Sequence, residues 1–172
     1  MNNNERGFTI VDKENKPCKA ICIIEYKGFK VLLIDEGDSS VKIIVNDSED
    51  QLFFNGTVEE VLAKIDILFK IFNKKTVYDL SKKIIENSIE NYSDRVPSAM
   101  LFHISFLVVA KKDLIEDFKD FEKKINELTE DKKTKKLLMK KKNTIFSIKM
   151  KDIKNKTAEL HKAYQKLINE VN

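Results

Sequence analysis

The chain has 172 residues and a net charge of +4, with 42% apolar and 35% charged side chains. This length fits one domain, or one small domain with a helical extension, and the apolar fraction excludes wholesale disorder. Two cysteines exclude a disulfide scaffold, and four scattered glycines leave no glycine-rich loop for cradling phosphates.

The first part of the chain alternates short β-like runs with turn residues, which predicts an antiparallel β-meander of four or five strands. Lys27 and Gly28 separate two apolar runs, and the glycine allows the positive φ of a tight hairpin. Thr57 and Glu60 have the spacing of a capping box, so we expect a helix to begin there and to cover one side of the sheet. Residues 1–75 are therefore predicted to form a sheet-plus-helix module.

The remainder, residues 76–172, is predicted to be helical, because no glycine follows Gly56 and no proline follows Pro97. Apolar residues recur there at alternating spacings of four and three, the pattern of helix-pairing seams. The seam residues named by this pattern are Leu114, Phe118, Phe121, Ile125, Leu128, Phe146, Met150, Ile153, Leu160, Tyr164 and Leu167. The whole chain is thus predicted to be α+β, with the sheet first and coiled-coil-like helices after it.

Two features of the helical region bear on its arrangement. The polar segment Thr129–Thr134 favours a turn, and hence an antiparallel helical hairpin, although no helix breaker excludes one continuous rod. The longest apolar stretch, Ala99–Ala110, is too short to span a bilayer and predicts a buried helix.

The charge is distributed very unevenly along the chain. Residues 1–131 carry 19 basic and 25 acidic side chains, whereas residues 132–172 carry 13 lysines and 3 acidic side chains. Lysines held on a rigid helix concentrate positive potential and attract polyanions. We expect the partner-binding or polyanion-binding residues to be Lys132, Lys133, Lys135, Lys136, Lys140, Lys141, Lys142, Lys149, Lys151, Lys154 and Lys156.

The alternative explanation of the lysines is internal pairing. Residues 113–131 hold eight acidic and three basic side chains, so a hairpin would place an acidic helix beside the basic one. Their net charge of −5 cannot neutralise the net charge of +10 that follows, which leaves a positive surplus.

Catalytic and metal-binding constellations are not found in the sequence. His103, His161, Cys18 and Cys22 do not have ligand spacing, so we predict no metal site. His103 lies in the apolar stretch, where a core histidine is the first interpretation and a switch or catalytic base the second. We therefore expect a protein without a cofactor that is not an enzyme.

The N-terminal residues and the cysteines lead to an expectation about location. We expect neither a signal peptide nor a membrane segment, because no basic region followed by an apolar run begins the chain. Cys18 and Cys22 lie four residues apart on a predicted strand, about 13 Å between Cα atoms, which is too far for a disulfide. A cytoplasmic protein is the simplest expectation.

One stretch resembles a known class of proteins. The hairpin Tyr26–Val31, the strands and turns of residues 35–54, and the capped helix of residues 55–66 resemble small accessory proteins of phages and mobile elements. This resemblance implies a non-enzymatic protein that acts by contact, of which inhibitors of host defence such as anti-CRISPR proteins are one class. It carries no functional residue over to this chain.

These observations lead to three hypotheses of function. The first is a binding protein that acts by stoichiometric contact with an acidic or nucleoprotein partner, such as a phage-encoded inhibitor of a host defence complex. The second is a nucleic-acid-binding accessory or partition protein that uses the lysine-rich helices. The third is a structural coiled-coil adaptor that self-associates through the seam from Phe146 to Val171.

Overall fold

The chain adopts an α+β fold, with an antiparallel sheet followed by long helices, as the sequence predicts. The computed structural model describes residues 9–11, 17–35, 41–47 and 50–171, and the side chains of residues 24–32 and 51–170. The strands are β1 (Thr9–Val11), β2 (Pro17–Tyr26), β3 (Phe29–Asp35), β4 (Val41–Asp47) and β5 (Asp50–Phe54). The helices are α1 (Val58–Phe72), α2 (Val77–Glu90), α3 (Pro97–Leu128) and α4 (Lys132–Val171), with a 3-10 turn at Tyr92–Asp94.

The sheet is a meander in which each strand pairs antiparallel with the next along the chain, in the order β1-β2-β3-β4-β5. The predicted hairpin is confirmed, because Tyr26 pairs with Phe29 across a two-residue turn. Lys27 and Gly28 have φ angles of 49° and 83°, the left-handed conformation that a type I′ turn requires at both positions. A side chain at residue 28 would therefore strain the turn.

The first compact unit extends to Phe72 and also includes Ile125–Met139. Its helix α1 begins at the predicted capping box, since the Thr57 amide donates to the Glu60 carboxylate at 2.8 Å. The Glu60 amide donates in return to the Thr57 hydroxyl at 3.3 Å. The buried apolar side chains of this unit are Phe29, Val31, Leu32, Leu52, Phe53, Phe54, Val61, Ile65, Leu68, Ile71, Ile125, Leu128 and Leu138.

The turn between α3 and α4 lies in this first unit and contacts β5, an edge strand of the sheet. The Phe53 amide donates to the Thr134 hydroxyl at 2.8 Å, and the Thr129 hydroxyl donates to the Phe53 carbonyl at 3.3 Å. Both threonines are buried. The predicted turn at Thr129–Thr134 is confirmed, and its hydroxyls satisfy backbone groups that an edge strand leaves unpaired.

The second compact unit comprises Asn73–Lys124 and Lys140–Asn172. The rings of Phe118 and Phe146 lie 4.7 Å apart, so α3 and α4 form the predicted hairpin rather than a rod. Helix α2 joins them in one core, through Tyr78 and Ile85. The rest of that core consists of Met100, Ile104, Leu107, Ala110 and Leu114 of α3 and Ile153, Leu160, Ala163 and Leu167 of α4.

The seam residues of α4 are therefore used within the chain. Ile153, Leu160 and Leu167 are buried against α2 and α3, and Phe146, Met150 and Tyr164 pack partly buried against the same core.

The two units also differ from the sequence-based division at residue 75. Ile125–Met139, which the sequence assigns to the helical region, belongs with the sheet.

The stretch Ala99–Ala110 departs from its prediction. Met100, Leu107 and Ala110 are buried, but Phe102 and Val109 are exposed by 66% and 55%. The expectation of a buried helix is thus confirmed for one side of this stretch and wrong for the other. Apolar residues on all sides of a helix predict that the helix is buried on all sides. In this unit, however, α2 and α4 cover only one side of α3.

Candidate polyanion-binding surface

The lysines at the beginning of α4 belong to the first unit. Lys132, Lys133 and Lys136 are exposed, and Lys135 is half-buried. The ammonium group of Lys133 lies 5.6 Å from the centroid of the Phe53 ring, within the range of a cation–π interaction. This part of α4 thus presents cations next to the turn that contacts β5.

A second set of lysines lies on α4 within the second unit. Lys140, Lys151 and Lys162 follow one another at intervals of eleven residues, close to three helical turns, so they occupy one line along the helix. Lys154 lies one turn beyond Lys151. All four are exposed, and we call them the α4 lysine face. Their line extends for about 33 Å, at a rise of about 1.5 Å per residue.

The α4 lysine face lies opposite the buried side of the helix. Ile153, Leu160 and Leu167 point into the core, which orients the lysines at intermediate turns toward solvent. Among the described side chains, no carboxylate pairs with Lys140, Lys151, Lys154 or Lys162. The exposed residues between them on the same side include no carboxylate: Asn143, Thr144, Ser147, Asn155, Ala158 and His161. This surface therefore has an uncompensated positive charge.

Lys142 is not part of this surface. Its ammonium group lies 2.7 Å from the Asp117 carboxylate and 5.2 Å from the centroid of the Phe121 ring. Lys74 binds the other oxygen of Asp117 at 2.9 Å. Burial alone would raise the pKa of Asp117, but the hydrogen bonds from Lys142 and Lys74 outweigh it and lower the pKa below its ordinary value. Lys142 thus links α4 to α3 and does not face solvent.

Lys149 and Lys156 are also engaged within the second unit. Lys149 binds the Asp79 carboxylate at the beginning of α2, and Lys156 lies 3.7 Å from Glu86 and 3.4 Å from Glu159. Burial opposes ionisation of Asp79, but hydrogen bonds from Lys149 and Thr76 lower its pKa overall. The internal partners of these two lysines come mainly from α2, whereas the sequence-based alternative expected them in residues 113–131.

Asp152, an acid of α4, is held by α2 as well. The Tyr78 hydroxyl donates to its carboxylate at 2.7 Å, and Lys82 binds the same oxygen at 2.8 Å. Burial and this hydrogen bond raise the pKa of Tyr78, so the hydroxyl remains a donor. One of the three carboxylates of α4 is thereby directed to α2 and does not offset the charge of the α4 lysine face.

The residues considered for metal binding and catalysis do not come together in the described part of the chain. No group of three or more His, Cys, Asp or Glu side chains there could hold a metal ion. Cys18 and Cys22 lie on β2, outside the residues whose side chains are described. His161 is exposed on α4, and His103 is half-buried on α3, where burial and the nearby Arg95 lower its pKa.

Comparison with known proteins gives no relative from which a function follows. No protein family, curated protein or solved structure matches this chain. Among the described helices, none combines the length and the apolar character needed to cross a membrane.

Proposed function

We propose that this chain is a non-enzymatic binding protein that makes stoichiometric contact with an acidic or nucleoprotein partner through the α4 lysine face. The observation that supports this proposal most directly is the line of exposed lysines at residues 140, 151 and 162, with no carboxylate paired to them among the described side chains. Such a line attracts a partner that carries repeated anionic groups along its length.

The type of cation determines the type of recognition. All basic residues of α4 are lysines, which act as point charges and do not form the bidentate bonds by which arginine reads base edges. Binding therefore depends on charge density and counterion release, and affinity decreases steeply with salt. Sequence preference toward a nucleic acid is expected to be weak.

A more specific form of the proposal is a phage-encoded inhibitor of a host defence complex. It rests on the resemblance of residues 26–66 to accessory proteins of phages and mobile elements. A lysine-rich helix suits this role, since it can occupy a site on a nucleoprotein complex that is lined by phosphates or acidic side chains. A nucleic-acid-binding accessory protein is the alternative that uses the same lysines.

The test compares two neutralised pairs that change the net charge equally. Lys151→Gln with Lys154→Gln removes half of the α4 lysine face, and Lys119→Gln with Lys123→Gln removes two exposed lysines of α3. We expect the native chain and the α3 pair to elute from heparin at similar salt, and the α4 pair to elute markedly earlier. Equal elution of both variants would show that total charge, rather than this surface, causes retention.

Binding to short duplex DNA then separates the two forms of the proposal. A binding protein directed to an acidic protein surface retains heparin binding but has little affinity for duplex DNA near physiological salt. Tight binding of duplex DNA that the α4 pair abolishes would favour the accessory-protein alternative. No retention on heparin even at low salt would contradict both.

A further inference from the structure

An exposed apolar surface lies on α3, in the second unit. Leu101, Phe102, Val108 and Val109 expose 45%, 66%, 51% and 55% of their surface, and we call them the α3 apolar face. No charged residue occurs between residues 98 and 110. Contiguous exposed apolar side chains of this kind mark interaction sites, since solvent exposure of such a patch is unfavourable.

Two apolar side chains of α2 lie at the level of this face. The Val77 amide at the beginning of α2 donates to the Asp113 carboxylate of α3 at 3.0 Å. Because α2 and α3 run antiparallel, Leu80 lies near the level of residue 110 and Ile84 near that of residue 106. Leu80 is 69% and Ile84 59% exposed. The six side chains together expose on the order of 600 Å² per copy, given the size of large apolar side chains.

The order of residues in the α3 apolar face is symmetric about Ser105. Leu101 and Phe102 lie four and three residues before Ser105, and Val108 and Val109 lie three and four residues after it. Since three and four residues are close to one helical turn, all five lie on one side of α3. A helix with this pattern presents apolar side chains at the same positions when it is reversed end to end.

From this symmetry we propose that the α3 apolar face binds a second copy of this chain. The two α3 helices pack antiparallel about a two-fold axis at Ser105, so that Leu101 meets Val109 of the other copy and Phe102 meets its Val108. An isologous interface requires a self-complementary surface, which this pattern provides. The small side chain of Ser105 at the crossing point allows the two helices to approach closely.

The charged residues that border the face are complementary in the same arrangement. Lys112 follows the apolar face by one turn, and Asp94 lies in the 3-10 turn before α3, both exposed. In the antiparallel pair Lys112 lies opposite Ser98 of the other copy, four residues along the chain from its Asp94. The cation of each copy thus faces the end of the helix that carries the acid of the other, so we expect two equivalent rim contacts of opposite charge.

The size of the surface predicts a concentration-dependent dimer. A stable interface buries about 800 Å² per partner, somewhat more than the six apolar side chains expose. The rim residues supply part of the difference. We therefore expect monomer and dimer to exchange as the concentration changes, rather than a permanent dimer.

The first experiment measures the mass of the full chain by sedimentation velocity, from low to high micromolar concentration. We expect the weight-average mass to rise from 20.0 kDa toward twice that value. Phe102→Glu is expected to keep the mass at that of the monomer. Ile148→Glu is the control, since it changes an equally exposed apolar residue of α4, and we expect it to leave dimerisation intact. A monomer at every concentration, or equal behaviour of both variants, would overturn the proposal.

The second experiment tests the axis itself. Ser105→Cys places a thiol next to its symmetry mate, so mild oxidation is expected to cross-link two copies, while Ser147→Cys on α4 is not. The chain without either substitution controls for Cys18 and Cys22. Equal cross-linking of the two variants would exclude the two-fold axis at Ser105. Lys151→Gln with Lys154→Gln is expected to dimerise normally, which separates this proposal from the proposed function.

Discussion

The ammonium group of Lys142 lies 2.7 Å from the carboxylate of Asp117, and the two side chains are only 8% and 5% exposed. Lys74, which is 52% exposed, reaches the other carboxylate oxygen from the segment before α2. The stability that a charge pair this deeply buried contributes depends on both members, because removal of one leaves the other buried without a counter-charge. The pair therefore fixes α3 against α4 at this level.

Asp117→Ala is expected to destabilise the second unit severely, by about 3–5 kcal/mol, since it leaves the Lys142 ammonium buried and unpaired. Urea denaturation measures this loss. Asp120→Ala, which removes the exposed ion pair with Lys124, serves as the control and is expected to cost no more than about 1 kcal/mol. The double substitution Asp117→Leu with Lys142→Met should recover most of the stability. A mild effect of Asp117→Ala would mean that Lys142 turns out to solvent without penalty.

The same pair gives a pH dependence with a definite sign. The pKa of Asp117 in the folded chain lies below its ordinary value of 3.8, so the unfolded chain binds the proton more readily. The stabilisation is complete above pH 3.8 and is lost as the pH falls through the folded pKa. The stability difference between the native chain and Asp117→Ala is therefore expected to shrink on acidification below that pH. A difference that stays constant down to pH 2 would contradict this account.

Thr134 in the first unit provides a test of the contact between the α3–α4 turn and β5. Thr134→Val keeps the shape of the side chain but removes the acceptor of the Phe53 amide, which is expected to cost about 1–3 kcal/mol. Thr144→Val removes an exposed hydroxyl that bonds the Lys140 carbonyl and should be nearly neutral. Thermal unfolding of the two variants measures the difference. Equal midpoints would indicate that water replaces the Thr134 hydroxyl.

Leu160 tests whether the α4 seam is a core element of the second unit. This side chain has no exposed surface, so Leu160→Ala leaves a cavity and is expected to cost about 2–5 kcal/mol. Ile148→Ala on the exposed side of α4 should change stability by less than about 0.5 kcal/mol. Chemical denaturation compares the two. A loss below about 1 kcal/mol for Leu160→Ala would place the seam outside the core.

Local sequence patterns were sufficient to predict the secondary structure. Strand alternation, the turn at Lys27 and Gly28, and the Thr57–Glu60 capping box are determined by neighbouring residues, and the structure confirms each of them. The three-and-four spacing of the seam similarly predicted which side of α4 is buried. These features depend on interactions within a few residues or one turn.

Tertiary partners were harder to predict. Lys142 carries the same local pattern as its exposed neighbours Lys140 and Lys141, and only the position of Asp117 on α3 explains its burial. The acids Asp79 and Glu86 lie far from α4 in sequence, so nothing local connected them with Lys149 and Lys156. The sequence of Ala99–Ala110 does not show which side of the helix is exposed, because the exposed side and the buried side are both apolar.

The central claim is that the α4 lysine face binds a polyanion, and its most direct test is the salt dependence of binding. Titration of a short heparin oligosaccharide at several salt concentrations gives the slope of log K against log salt. We expect Lys151→Gln with Lys154→Gln to lower the magnitude of this slope by about one per lysine removed, and Lys119→Gln with Lys123→Gln to leave it unchanged. An identical slope for the native chain and both variants would contradict the account.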